Sequence, residues 1–494
     1  MKEAIILLTA LMSGLLQAET SPYHPKLIPA GYSVETISTP LDPTGAPLAF
    51  GVGGIDFAEN GDVFIASRLH GIWKYRNDSW LRFSDHLHDP QGIHVVDNNS
   101  VVVAQKPELT RITDTDGDGE GDLYQTICDS WRYAANYCEY VHGPVVDSKG
   151  NYYINLNLAH GDSNSFLKKG GSYMGTAGGY DGWNCQITPE GKLIPFASGL
   201  RSPAGIGINE KTDEIFYTEN QGSWVGSSFL AHVQKGAFYG YPASLIDDPE
   251  FRGDPDKITF EAFSKMRKAP AVWLPHGDLS NSPGDPVFNY TEGKFGPFEG
   301  QIFIGCQTRS NILRVNLEKI QGEYQGAAFN FVDHLQSGCV RIAFDTMGRL
   351  WVGQTGRGWG SKGGQVYGLQ RIKWDGKTIP FEMKAINLTE NGFRISFTSP
   401  VNKDSLNSGS LAVNSWHYHY HKKYGSPKVD QQKHEAELVS ISSDGLEATI
   451  RTALTTGKIF SIGLEGVTGS AGAPLSTKVG YYTLNRTLSK PGQR

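Results

Sequence analysis

Residues 199–224, GLRSPAGIGINEKTDEIFYTENQGSW, decide the fold. Gly205-Ile-Gly-Ile alternates apolar with small residues, Asn209 to Asp213 make a polar turn, and Glu214-Ile-Phe-Tyr-Thr alternates again. Period-two alternation on both sides of a turn rich in Asn, Lys, Thr and Asp is the mark of an antiparallel hairpin with a buried face. The same grammar returns in Gly54–Phe57 with Val63–Ala66, in Gly92–Val96 with Val101–Val103, in Val145–Gly150 with Asn151–Ile154, and in Arg341–Asp345 with Leu350–Val352. A less regular copy, Gly300–Ile304, follows a loop-rich stretch from Ala269 to Pro297. Small units that recur every few tens of residues, none able to bury its own face, predict radial stacking around a central channel. The expected fold is a β-propeller of six blades.

Composition agrees. The chain has 494 residues, too many for one ordinary core, and 59 Gly with 11% aromatics and little helix-period sequence indicate turn-rich all-β structure. After the Gly-rich run Arg357–Arg371 the grammar changes near Trp374, with Phe393, Ile395 and Phe397 alternating and a turn at Ser443–Gly445. The reading is a propeller over 30–374 followed by a small immunoglobulin-like β-sandwich over 380–486, without the Cys…Trp…Cys pattern of antibody domains. Ala4–Leu16 is apolar behind Lys2 and is followed by Ala18, which reads as a secretory signal over 1–18. That run is too short for a finished transmembrane anchor, so the chain is expected to be exported, to the periplasm or beyond. The net charge is −6, and no Lys/Arg run is interleaved with aromatics, so nucleic acid is not expected as a partner.

An oxidising compartment permits disulfides among the five cysteines. Cys128 and Cys138 flank a short segment and would close a small loop, Cys306 and Cys339 lie on neighbouring blades, and Cys185 is left over. No C-x-x-C-H sequence occurs, so no c-type haem is attached. The acidic run Asp114-Thr-Asp116-Gly-Asp118-Gly119-Glu-Gly-Asp122 places oxygens at alternate positions and a Gly at the sixth, the pattern of a calcium loop. Gln125 stands where a bidentate acid is usual, so Asp122 is expected to serve as the last ligand. His417, His419 and His421 would share one face of a strand and could hold a metal, against the plainer reading that Tyr418 and Tyr420 supply a packing face. Sequons such as Asn77-Asp-Ser79 and Asn289-Tyr-Thr291 matter only in a glycosylating host.

His142 ends a polar, aromatic segment and directly precedes the Val145–Ile154 hairpin, where propeller loops reach the channel mouth. A His before V-V-D-S-K-G-N-Y-Y-I, then G-L-R-S-P-A-G, then Trp273 with Pro275, Ser282-Pro283 and G-Q-I-F-I, resembles the ordered motifs of the glucose/sorbosone dehydrogenase family over roughly Gly51–Arg371. The resemblance implies a six-bladed propeller that binds pyrroloquinoline quinone, often with calcium, and oxidises a sugar or other polyol, passing electrons to an external acceptor. It assigns His142 as the general base for the hydroxyl proton and Arg201 as the cation that stabilises negative charge on the reduced quinone. Arg201, Ser202, Arg309 and Arg341 fall at the cofactor-contacting positions. This chain also departs from the family pattern, with Ser202 and Ala204 for an expected Asn and Gln, Thr308 for an expected Lys, and Arg341 alone where two arginines are usual.

Two other functions remain on this reading. The chain is a non-catalytic carbohydrate-binding or scaffold propeller if those replacements abolish quinone binding, or a calcium-dependent lactonase-like hydrolase if carboxylates converge on the channel.

Overall fold

The computed structural model describes residues 26–133, 140–157, 179–251, 259–356 and 360–488. It is an all-β molecule built from antiparallel sheets in the manner of a propeller. Sheet I comprises Val52–Phe57, Val63–Ser67, Gly71–Arg76 and Ser79–Ser84; sheet II comprises Ile93–Asp97, Ser100–Ala104, Leu109–Thr113 and Leu123–Cys128. Sheet III runs through Val141–Val146, Tyr152–Leu156, Asn184–Ile187 and Leu193–Ala197, and sheet IV through Pro203–Asn209, Glu214–Glu219, Ser228–Val233 and Val272–Leu274. Sheet V holds Pro283–Phe288, Ile302–Cys306, Asn311–Ile320 and Glu323–Val332. Sheet VI holds Cys339–Phe344, Leu350–Thr355 and Tyr367–Trp374, and its outer strand, Tyr32–Thr36, comes from near the start of the chain.

The first strand of each sheet lies against the first strand of the next, and Cys339–Phe344 returns to Val52–Phe57. The sheets pack face to face through separate apolar layers. Phe64 and Phe83 meet Val101 and Ile112 between sheets I and II, and Trp351 and Leu369 meet Val52 and Ile65 between sheets VI and I. Glycine makes the close approach near the axis possible. A Cβ on Gly92 would sit 1.8 Å from the Gly143 carbonyl oxygen, and one on Gly284 2.0 Å from that of Val340.

The hairpins expected from the sequence are the inner two strands of these sheets. The stretch Ala269–Pro297 is less loop-rich than expected, because Val272–Leu274 and Pro283–Phe288 are strands within it. Pro283 and Pro286 hide the second, since proline removes ladder donors; the register shifts between them.

The C-terminal part forms two sheets. One orders Met383–Thr389, Gly392–Phe397, Glu447–Arg451 and Glu437–Ile441. The other, made of Val479–Leu484, Lys458–Leu464, Leu411–His417 and Val429–His434, continues sheet V, with Gly326 opposite Thr483 and Phe329 opposite Gly480. The physical reason is that Glu323–Val332 is the outermost strand of sheet V, so its outer edge would be left with unpaired backbone groups if nothing covered it. Ala327 and Phe329 accordingly belong to the same core as Phe393, Phe460 and Tyr482.

Candidate functional site

All the first strands run the same way around the axis, and the ends at which they begin define one face, here the upper face. His142 is the second residue of the first strand of sheet III, Arg201 precedes that of sheet IV, Gln91 precedes that of sheet II, and Arg341 lies near the start of that of sheet VI. A parallel bridge between Gln91 and His142 ties two of these positions together.

Arg341 occupies the axis. Its Nε donates to the Gly53 carbonyl at 2.7 Å, and its Nη1 to the Ala204 carbonyl at 2.7 Å, to Asp285 Oδ1 at 3.1 Å and to the Val340 carbonyl at 3.4 Å. Nη2 donates to Gln91 Oε1 at 3.2 Å and to His142 Nδ1 at 2.7 Å. One guanidinium thus joins all the sheets, I to VI, and none of its three nitrogens is left without an acceptor. Burial raises the Asp285 carboxyl to about 6, with the Arg341 charge opposing the rise. Below the guanidinium, the first strands enclose a cavity of 350 Å³ whose wall includes Gln91 and Asp285.

His142 is buried, and burial first, then Arg341 and Arg68, hold its pKa well below the usual imidazole value. Arginine only donates, so Nδ1 is the acceptor in the bond from Arg341 and the neutral ring carries its proton on Nε2. That Nε2 is buried without a partner among the described residues. The Tyr140 ring packs 5.8 Å from the imidazole and lies under Arg68, which is paired to Asp89 at 2.8 Å.

Arg201 is 1% exposed. Its main-chain N–H and that of Ser202 both donate to Glu219, at 2.8 and 2.7 Å, and Asn220 N donates to the same carboxylate at 3.0 Å. Burial nevertheless raises the Glu219 carboxyl to about 7. The Arg201 side chain lies against Gly222, where a Cβ would come within 2.1 Å of Cζ, and Nη1 donates to the Gln221 carbonyl at 3.3 Å. Nε and Nη2, which share one edge of the guanidinium, have no partner among the described residues. From the C-terminal part, Tyr424 places its ring 5.2 Å from Cζ, and the neighbouring backbone is pinned by Trp224 N to the His421 carbonyl at 3.0 Å and Gly425 N to the Gly222 carbonyl at 2.9 Å. Glu219 and Tyr424 escape a reading of the sequence. The first is one acid in a hairpin, and the second lies about 220 positions from its partner in the chain.

Arg309 sits in the turn after Ile302–Cys306, at the upper face, and gives Nη1 to the Gly277 carbonyl, while Thr308 pairs its hydroxyl with Ser282 at 3.0 Å. The residues expected to contact pyrroloquinoline quinone therefore do not form a tricarboxylate cradle. Arg341 is committed to the axis, the Ser202 N–H to Glu219, and the Lys position to a hydroxyl pair. Of these residues, Arg201 alone combines nearly complete burial with an idle bidentate edge.

Asp114, Asp116 and Asp118 bring carboxylate oxygens within 4.8 Å of one another. Gly117 N and Gly119 N donate to Asp114, at 2.7 and 2.9 Å, which curls the loop. Three converging hard oxygens fit a calcium ion. Asp122 is turned to Thr115, accepting from its N–H at 2.9 Å and its hydroxyl at 2.6 Å. The loop is at the lower end of sheet II, where Gly121 N donates to the Phe83 carbonyl of sheet I at 2.7 Å, so it bridges two sheets away from the upper face.

Tyr418 and Tyr420 are buried, against Trp273 and against Trp224 and Phe260, and the strand stops at His417. Among the described residues the histidines 417, 419 and 421 do not form a metal cluster. Cys128, Cys185, Cys306 and Cys339 are buried and free, so the expected pair Cys306–Cys339 is not bridged; Cys138 lies outside the described residues. Cys185 packs in the same apolar layer as Cys128. A cavity of 1740 Å³ lies beside Glu437 and Arg451 of the C-terminal part, where these two pair with each other at 2.8 Å. No helix among the described residues is long and apolar enough to cross a membrane.

Residues 188–357 match the family model described as Glucose / Sorbosone dehydrogenase, and residues 76–258 match one described as a domain of unknown function, DUF7133. Among solved structures, the calcium form of a Trichoderma reesei enzyme of Carbohydrate-Active Enzymes Family AA12 is 14% identical, covering 72% of this chain and 98% of its own, with a TM-score of 0.51. The pyranose dehydrogenase PQQ domain from Coprinopsis cinerea is 12% identical over 71% and 97% at a TM-score of 0.49. The soluble aldose sugar dehydrogenase of Escherichia coli is 13% identical over 69% and 99% at 0.48. At such identities a structural likeness speaks for the fold alone. No protein with a curated description matches. The resemblance drawn from motif order is thereby met by the family model over 188–357, a stretch that contains Arg201, Ser202, Arg309 and Arg341.

Proposed function

We propose that this glucose/sorbosone dehydrogenase-like chain is an exported oxidoreductase of the sugar dehydrogenase kind, a closed six-bladed propeller over 30–374 with an immunoglobulin-like sandwich over 380–486, acting on a carbohydrate or polyol at the upper face. The observation that carries the proposal is the pairing of His142 and Arg201. They stand at the starts of neighbouring first strands, both are sealed from water, and each keeps a polar edge without a partner among the described residues. Buried polar groups are rarely left idle unless a ligand or water completes them. Arg201 would meet negative charge on a ligand oxygen, and His142 would touch the ligand through Nε2. Calcium at Asp114, Asp116 and Asp118 would fasten sheet II to sheet I and take no part in the chemistry.

A second reading, a propeller that binds carbohydrate without turning it over, is favoured by one specific feature. With Arg341 donating to Nδ1, His142 has no unprotonated nitrogen toward a substrate, which a general base requires. The lactonase-like alternative finds no support in the acidic loop, which stands on the outer strands at the lower end.

Dye reduction by the calcium-loaded protein over a panel of sugars and polyols, with and without added quinone, tests the proposal. Turnover that Arg201→Met abolishes is expected. Saturable sugar binding without turnover under any acceptor would replace the first reading by the second.

A further inference from the structure

The polar edges at the upper face are unequal in kind. His142 offers Nε2–H, a donor, because Arg341 holds Nδ1 as the acceptor at 2.7 Å. Arg201 offers Nε–H and Nη2–H side by side, with Nη1 already spent on Gln221. Next to Arg201, Asn220 gives Nδ2 to the Ser202 carbonyl at 2.9 Å and leaves Oδ1 buried without a partner, a single acceptor. Glu219 does not cancel the guanidinium by contact, since its oxygens receive the backbone N–H groups of Arg201, Ser202 and Asn220. Around His142 the charged neighbours are Arg341 and Arg68, with Asp89 on the far side of Arg68 and Asp285 on the far side of Arg341. Among the described residues, the unpartnered edges of His142 and Arg201 are donors, three N–H groups against the one Asn220 acceptor, and the one on Arg201 carries a fixed positive charge.

A neutral sugar matches such a face poorly, because each of its hydroxyls brings a proton that needs an acceptor. A carboxylate matches it well. Two carboxylate oxygens fit the parallel Nε–H and Nη2–H of one arginine, a geometry that lysine cannot copy. We propose that the upper face recognises a carboxylate-bearing sugar, a uronate, with its carboxylate on the side edge of Arg201, one hydroxyl on Asn220 Oδ1 and a ring or hydroxyl oxygen receiving the His142 Nε2 proton. Arg341 is a positioning residue that fixes the His142 tautomer. The inference rests on the carbohydrate-directed reading above and names its substrate class. Tyr424, which covers the guanidinium face and is 65% exposed, is the side chain the ligand would displace.

The test needs no turnover. In the full-length, ring-15N-labelled protein at pH 7, with His142→Gln identifying the signal, His142 is expected as the neutral form protonated on Nε2. A proton on Nδ1 overturns the inference. Calorimetry without quinone is expected to show D-glucuronate binding more than about tenfold tighter than D-glucose, with the preference lost in Arg201→Lys. Equal binding of the two sugars overturns it, as does tighter binding of glucose 6-phosphate, which would make the anion a phosphate. Quinone that binds in the absence of sugar and blocks glucuronate through Arg201 also overturns it, by giving the edge to a cofactor carboxylate. A protein that binds glucuronate in this way but reduces no acceptor keeps this inference and loses the dehydrogenase reading. One that oxidises neutral sugars and ignores glucuronate does the reverse.

Discussion

Arg341 on the axis and Arg201 at the neighbouring rim are both guanidinium groups sealed from water, 2% and 1% exposed. They differ in what the protein has placed around them. Arg341 meets acceptors from every sheet, including the Asp285 carboxylate, whereas Arg201 has one carbonyl at 3.3 Å, an aromatic face and an idle edge. A buried cation whose partners all come from the protein is a structural rivet. A buried cation with an unfilled edge has room for a partner from outside the chain, which is the role proposed for Arg201.

Arg341→Met is the strongest way to break the contrast. It strands Asp285, Gln91, His142 Nδ1 and three axial carbonyls together, and is expected to cost about 3–5 kcal/mol in urea unfolding, the range for removing one partner of a buried pair. A loss below about 1 kcal/mol would falsify the rivet.

Glu219 gives the next largest effect, through pH. Its carboxyl is raised to about 7 from an ordinary 4.5, so between those values the folded protein holds a proton that the unfolded chain has released. The contribution to stability is therefore complete below about pH 4.5 and is lost as the pH climbs toward 7, a decline of at most about 3 kcal/mol at 1.36 kcal/mol per pKa unit. Unfolding curves from pH 4.5 to 8 should show that decline in the native protein and a flatter profile in Glu219→Gln. If the two profiles run parallel, Glu219 does not hold its proton through that range.

Arg201→Ala sharpens the comparison from the other side. Losing the side chain's packing is offset by removing unpaired buried donors, so stability should stay within about 1 kcal/mol of the native protein while ligand binding disappears. A thermal scan beside a binding titration separates the two. Tyr424→Ala should have the smallest effect, about 0.5–1 kcal/mol from one cation–π contact at a partly open site, and should quicken ligand association in stopped-flow measurements.

Much of the fold could be read from the chain because its signals are local. The hairpins at Gly54, Gly92, Val145, Gly205 and Arg341 each declare themselves within about fifteen residues through alternation and turn chemistry. Pro283–Phe288 does not, since its two prolines imitate a loop. The outer strands were less legible, and Tyr32–Thr36 could not be placed in sheet VI by any local rule, because its partner Tyr367–Trp374 is over 330 residues away. The same holds for the join between sheet V and the C-terminal part. Of the candidate site, His142, Arg201 and Arg341 could be named from motif order, and the convergence of Asp114, Asp116 and Asp118 from spacing. Which of them serve a ligand could not, since that depends on partners brought in from other sheets.

The sequence by itself therefore determined the all-β repeat, the acidic loop and the identity of the residues at the starts of the first strands, all of which rest on interactions between near neighbours. Only the tertiary structure decided that Arg341 is spent on the axis, that His142 presents a proton and not a lone pair, and that Arg201 keeps an open edge under Tyr424. Hydrogen-bond saturation is a property of what surrounds a group in space, and for these three residues the surroundings come from strands scattered over the chain.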